Sequence, residues 1–455
     1  MTSSSSARVP LPLVNLPVSH RFKFHSLYGA VLLLILACLT YLYRLGGFVD
    51  GFDPQARYQS LRDYRVWISG GENLWNGQNP FEIDEILKSG VFSSQTIFLI
   101  RQIFPNPQSF FSTFQFLNLT ALLFFLWQNR LLTKKFTFIS FALVLSSSTR
   151  EILVNGQITG LMLGLFALLQ RYLPTSIHGA SKYLPFRFAS ITQNIVCGLA
   201  IFFLLDIKPN VTLFPILLLV IHTKNYSACY SGFILWISHL IFSSLIVGSN
   251  LLISWYQNLM NVTSYENNSD LFGSLGIWQV LNTISLSPSL FEILPVLSFV
   301  LIGFVSIRIL KRGKVEISLL FAFLANYFYS YFHFYSYFPI LAFVFYELLR
   351  NRNNFALGLS ISSMFLSFNS EILKSTMFSL GFLVMIFLFF RFERINDTVC
   401  FACGWITFLT YKWLLNTVIG LEQLHAKALI VAIPVLTYLS ILAVERLKTL
   451  IGERT

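Results

Sequence analysis

The stretch CGLAIFFLLDIKPNVTLFPILLLVIHT, residues 197–223, consists of two apolar runs joined by the polar break Asp206-Ile207-Lys208-Pro209-Asn210. Pro209 opens the second run, where a residue without a backbone N–H is tolerated at the first helical position. The pattern is that of a helix, a break and a return helix. In hydrocarbon a chain has no water to bond, so an apolar run of this kind crosses a bilayer as a helix. The fold therefore turns on how often such runs recur.

They recur along the whole chain. Of 455 residues 55% are hydrophobic and only 11% charged, with a mean hydropathy of +0.66. Soluble domains carry roughly 25% charged residues, so there is too little polar surface here to coat a soluble globule. Apolar runs approaching the ~20 residues that span a bilayer fall near 27–45, 110–128, 136–149, 158–174, 190–206, 209–222, 229–250, 291–310, 316–331, 336–349, 355–369, 372–390, 398–418 and 427–445. Three of them, 136–149, 209–222 and 355–369, are short, as re-entrant or protein-buried helices are. The sequence predicts an all-α polytopic membrane protein, a bundle of about 12–14 transmembrane helices.

Charge placement orients this threading. With the N-terminus cytoplasmic, 21 of the 32 Lys and Arg fall in inner segments and 11 in outer ones. That asymmetry satisfies the positive-inside rule. The net charge of +12 is thereby explained without nucleic acid as a partner. About 25 residues precede the first run and no small-residue cleavage site follows it, so it reads as a retained anchor. The five cysteines all lie in apolar runs and are expected to act as small hydrophobes in helix packing. Cys400 and Cys403 form a CxxC with no second pair to complete a zinc site, and no metal or other cofactor is expected.

The orientation puts the polar, turn-rich segments on the non-cytoplasmic side: VNGQITG (154–160), DIKPN (206–210), SYENNSDLFG (264–273), YFHFYSYF (331–338) and a long first loop, 46–109. Loops of this length are usually functional. Within it, Tyr64, Trp67, Ile68, Gly71, Leu74 and Trp75 recur at helical spacing, while Arg65, Ser69, Glu72 and Asn76 take another face. The sequence predicts an amphipathic helix lying in the interface with its tryptophans at headgroup depth. Gly77 is placed to end it, and Asn79-Pro80 forces a turn. Asp63 opens that helix. Ser60 and Asp63 have capping-box spacing, and Asp63 is equally a candidate base beside a lipid-lined cavity.

The segment DYRVWISGGENLWNGQNPFE resembles the D-hydrophobic-x-V-Y-x-x-A…L-x-G-x-N-P-Y signature of glycosyltransferase family 87, polyprenyl-phosphate-mannose-dependent mannosyltransferases of the GT-C superfamily. NGQITGLMLGLFALL is similar to that family's G-Q-x-x-x-L-L-L-x-L block, and CGLAIFFLLDIKPNVTLFPILLL to its G-L-A-x-x-x-K-P-x-P-L-L-L block. NNSDLFG and HFYSYFPILAF are fainter echoes. The chain departs from the pattern at VFSSQ (91–95), where Tyr-Pro-Pro is usual, and at Thr159-Gly160, where aliphatics are common.

The resemblance implies a GT-C-type bundle with a catalytic module over 27–350, a cytoplasmic tail over 1–26 and C-terminal helices of unassigned role over 351–455. It implies a hexosyltransferase of a bacterial plasma membrane, working as a monomer on the periplasmic face. The donor would be a polyprenyl-phosphate-linked sugar, mannose by family habit, and the acceptor a glycolipid or glycan. Asp63 would be the general base. Donor phosphate and sugar contacts would come from Lys208, His333, Arg62, Arg65, Arg150, Gln157 and Asn155.

Each of these has an ordinary structural role as well. Lys208 is placed to pair with Asp206, Arg150 with Glu151, His333 to bond within its aromatic segment, and Gln157 to cap a loop. Asp50 and Asp53 in DGFDP are secondary acidic candidates that turn chemistry explains equally. A flippase or transporter of lipid-linked glycans, or a glycan polymerase or ligase, is the alternative function. No internal repeat of the transporter kind is visible.

Overall fold

A computed structural model describes residues 62–80, 91–104, 107–129, 137–144, 146–154, 157–173, 186–251, 253–254, 257, 288–328, 334–364, 383, 385–390, 393–414 and 423–452. Among them there is no strand, and the elements are helices: α1 (Arg62–Trp75), α2 (Val91–Gln102), α3 (Pro107–Gln128), α4 (Thr137–Val144), α5 (Ser147–Val154), α6 (Thr159–Tyr172), α7 (Phe186–Ile207), α8 (Pro209–Thr223), α9 (Tyr226–Val247), α10 (Pro288–Lys311), α11 (Val315–Tyr327), α12 (Phe338–Arg350), α13 (Asn354–Met364), α14 (Ile395–Leu414) and α15 (Gln423–Gly452). A 3-10 turn, Phe334–Tyr337, leads into α12.

Side-chain pairs fix the relative directions of neighbouring helices. Along α3 and α6, Asn118 meets Gly160, Ala121 meets Gly164 and Asn129 meets Gln170, so the two run parallel. α7 lies antiparallel to α6, because Gln193 bonds Tyr172 near one end and Lys208 bonds Gln157 at the other. α9 runs parallel to α7, through Asn194 with Asn225 and Phe202 with His239. α8 and α10 are parallel through Phe214 with Phe299 and Leu218 with Leu310. α13 and α14 are parallel through Asn354 with Asp397 and Gly358 with Phe401.

The core is aromatic. Phe125, Phe166, Phe323 and Phe343 from four helices pack with ring centroids 5.5–6.5 Å apart. A second set joins Phe138 of α4 to Phe389 and to Phe401 of α14. Such offset and edge-on pairs contribute beyond area burial alone.

Two helices among the described residues are long and apolar enough to cross a membrane: Ser109–Gln128 and Tyr226–Val247. The second is 17% buried despite a mean hydropathy of 1.7. Its outward residues include Tyr230, Phe242 and Leu245 at 67%, 62% and 77% exposure.

Three expectations need adjustment. The run 136–149 is not one helix: α4 stops at Val144 and α5 starts at Ser147. Between them the Ser146 and Thr149 hydroxyls both donate to the Leu143 carbonyl, 2.6 and 2.7 Å away, which satisfies an acceptor that a continuous helix would have used. Cys197 is buried as expected, but Cys400 and Cys403 face outward on α14 and do not pack between helices. The third concerns the amphipathic helix, whose apolar face is covered by protein.

Candidate functional site

α1 is amphipathic because Trp67, Gly71 and Leu74 fall on one face at helical spacing, all buried, while Glu72 on the other is exposed. α2 covers that face. A Cβ at Gly71 would lie 2.3 Å from the Ser94 carbonyl oxygen and 2.4 Å from the Phe98 Cβ, so the two helices touch backbone to side chain. Trp67 belongs to the main core, which also holds Ile97, Phe110 and Phe114. Trp67 is therefore packed in protein rather than outward as an interfacial anchor would be, whereas Trp75 is 62% exposed. Gly77 ends the helix with φ +72°, a conformation costly for a residue with a Cβ. Asn79 is buried and its Nδ2 donates to Ser254 Oγ at 3.0 Å, tying the turn after α1 to the segment after α9.

α2 in turn is bonded to the end of α7. Asp206 Oδ2 accepts from the Ser93 backbone N–H at 2.7 Å and from Ser93 Oγ at 2.5 Å, and both residues are buried. Ser93 lies in the first turn of α2, where helical N–H groups lack partners and the dipole favours an anion. The carboxylate supplies what the α2 N-terminus needs. In return, Ser93 offsets the cost of an anion at the C-terminal end of α7.

Two residues on, Lys208 stands between α7 and α8 at the N-cap position, with φ −153° and ψ 79°. Thr212 Oγ1 secures the break, lying 2.9 Å from both the Leu204 and Lys208 carbonyl oxygens. Lys208 Nζ donates to Gln157 Oε1 at 3.0 Å. Thus Asp206 and Lys208, expected to pair, are each given another partner in the described structure. Gln157 is 4% exposed, and its own N–H donates to the Ile152 carbonyl at 3.0 Å, closing the end of α5. The loop-cap role and the Lys208 contact are filled by the same residue.

Beside Gln157 the α3–α6 contact is polar. Asn118 Oδ1 accepts from the Leu161 N–H at 3.1 Å, and its Nδ2 donates to the Phe114 carbonyl at 3.1 Å. Gln115 Nε2 donates to the Leu153 carbonyl. The unusual Gly160 is explained here, since a Cβ at that residue would lie 2.5 Å from the Asn118 carbonyl oxygen. Gln115 Oε1 and Thr159 Oγ1 are buried with no hydrogen-bond partner among the described residues.

The predicted site residues divide accordingly. Gln157 and Lys208 are brought into direct contact. Arg62, Asp63 and Arg65 lie in the first turn of α1, and Arg150 lies on α5. The 3-10 turn following His333 packs against α5. Asn155, His333, Asp50, Asp53 and the capping partner Ser60 lie outside the described residues. Sequence reasoning missed Ser93 and Asn118. The only signals for them were the departure at VFSSQ and the small Gly160 that admits Asn118.

No protein-family model, curated protein or solved structure matches this chain. The likeness to glycosyltransferase family 87 therefore rests on the three motif blocks themselves.

Proposed function

We propose that this chain is a polytopic integral-membrane glycosyltransferase of GT-C type. It would move a sugar, mannose by motif resemblance, from polyprenyl phosphate to an acceptor hydroxyl on the non-cytoplasmic face. The observation that carries the reading is convergence. The three blocks with family-87 character are far apart in the chain, yet α1–α2, Gln157 and Lys208 are linked by contacts at one end of the bundle.

The membrane part of the proposal is supported by two features. The outward faces of α9 and α10 carry large apolar side chains in succession, Phe242, Leu245 and Phe304 each more than 60% exposed, where a soluble surface would carry polar ones. The parallel and antiparallel pairs agree with the in–out alternation that the positive-inside rule requires, including the parallel pairs α3–α6, α7–α9, α8–α10 and α13–α14.

In this mechanism Asp63 takes the proton from the acceptor hydroxyl, whose oxygen attacks the sugar C1 as the C1–O bond to lipid phosphate breaks. The departing phosphate gathers negative charge, which calls for a nearby cation. Lys208 fills that role. Its bond to Gln157 orients the ammonium at the start of α8. The contacts of α1 with α2 and of Ser93 with Asp206 couple the helix bearing the base to the segment bearing the cation.

The test is incubation of purified protein with polyprenyl-phosphate-mannose and a panel of glycolipid acceptors. Transfer is expected from wild type and reduced ~10²–10⁴-fold in Asp63→Asn, the usual contribution of a positioned base. Undiminished transfer in the variant removes Asp63 as base. Lipid movement across liposomes without any transfer would establish the flippase alternative instead.

A further inference from the structure

One outward face of α10 carries two chemistries in succession. Leu297, Leu301 and Phe304 follow one another at helical spacing and are 48%, 54% and 63% exposed. Arg308, Lys311 and Arg312 continue the same face and are also exposed. The change from apolar to basic takes less than one turn, between Val305 and Arg308. α8 ends at the same level, because Leu218 and Leu310 pack in one cluster. Lys224, just past α8, and Lys314, in the α10–α11 turn, are exposed there too. Against these five cations the same helix ends present one exposed acid, Glu316.

The C-terminal dipoles of α8 and α10 account for some of the positive charge, since cations are favoured in a last turn. They do not account for the exposed apolar stripe that leads into it. A ligand that satisfies both must have hydrocarbon at one end and an anion at the other. We infer that this face of α10 seats an anionic phospholipid, its acyl chains along Leu297, Leu301 and Phe304 and its phosphate among Arg308, Arg312 and Lys224. Basic clusters at the cytoplasmic ends of membrane helices recognise such headgroups. The inference rests on the membrane reading above and is independent of the transfer chemistry.

The experiment places the full-length protein in nanodiscs of phosphatidylcholine, with and without about one-third phosphatidylglycerol. It counts the lipids retained on release by native mass spectrometry. Wild type should retain phosphatidylglycerol preferentially. Each cation near a bilayer surface is worth roughly a fivefold preference, so Arg308→Gln/Arg312→Gln should reduce retention roughly 5- to 25-fold. Arg308→Lys/Arg312→Lys should keep most of it and shows that the face is still folded. The control pair Arg352→Gln/Arg394→Gln removes two exposed cations elsewhere and should leave retention unchanged. Equal losses in both Gln pairs would overturn the site in favour of diffuse surface charge, and absence of preference in wild type would overturn it outright. Failure of the wild-type protein to enter nanodiscs would sink the membrane reading, and this inference with it.

Discussion

Lys208 was recognisable in the sequence because a cation inside an apolar run is costly and therefore conspicuous. Gln157 beside Gly156 stood out for a similar reason. Ser93 did not, because serine occurs anywhere on a helix and its partner Asp206 is 113 residues away. The Ser93 contact is nonetheless the better-defined one. A buried carboxylate holding two donors from one residue loses a charge-assisted bond when the hydroxyl is removed. Ser93→Ala should cost about 1.5–3 kcal/mol, read as an earlier thermal transition of the detergent-solubilised protein. Unchanged stability would mean that water or another donor replaces the hydroxyl. Lys208→Met addresses the proposed chemistry: under that mechanism, loss of this cation should lower turnover by roughly 10²–10³-fold, the scale seen when one charge-stabilising donor is removed. Its effect should be on kcat more than KM, measured with the same polyprenyl-phosphate donor.

At the scale of elements, periodicity exposed the apolar face of α1 but not what covers it. An i, i+4, i+7 stripe looks the same whether lipid or another helix lies against it, and here α2 does. The evidence was present in Gly71, a small residue at the centre of the face, but a glycine in GG also reads as a weak helix position. The structure gives it a single purpose, close approach to Ser94 and Phe98. Gly71→Val should force α1 away from α2 at about 1–3 kcal/mol, the range for overpacking a tight contact. Because Asp63 rides on α1, transfer should fall further than the stability loss explains, and a substrate-saturation series on the folded fraction checks this. The split of 136–149 was legible only as shortness. Serine and threonine hydroxyls that return to a carbonyl, as Ser146 and Thr149 do, end a helix without the glycine or proline that normally marks a boundary.

For the whole molecule, the apolar runs and the Lys/Arg asymmetry predicted alternating directions, and the helix pairs described here obey that alternation. Neither composition nor charge could say which helices are neighbours, because any lipid-facing surface is as apolar as any core. That information lies in small and polar residues at crossings, such as Gly160 under Asn118 and Asn225 against Asn194. The alternation itself is open to direct measurement. Glu72 on α1 and Arg312 after α10 are both exposed, and the proposed threading puts them on opposite sides of the bilayer. With the native cysteines at 38, 197, 229, 400 and 403 replaced by serine or alanine, Glu72→Cys should react with an impermeant maleimide in intact cells. Arg312→Cys should react only after the membrane is opened. The reversed pattern would place the Ser93–Asp206–Lys208–Gln157 cluster on the cytoplasmic side, where the donor would have to be presented from the inner leaflet. Labelling of both sites in intact cells would overturn the proposed threading, in which Ser93 and Asp206 mark one end of the bundle and the parallel helices α8 and α10 finish at the other.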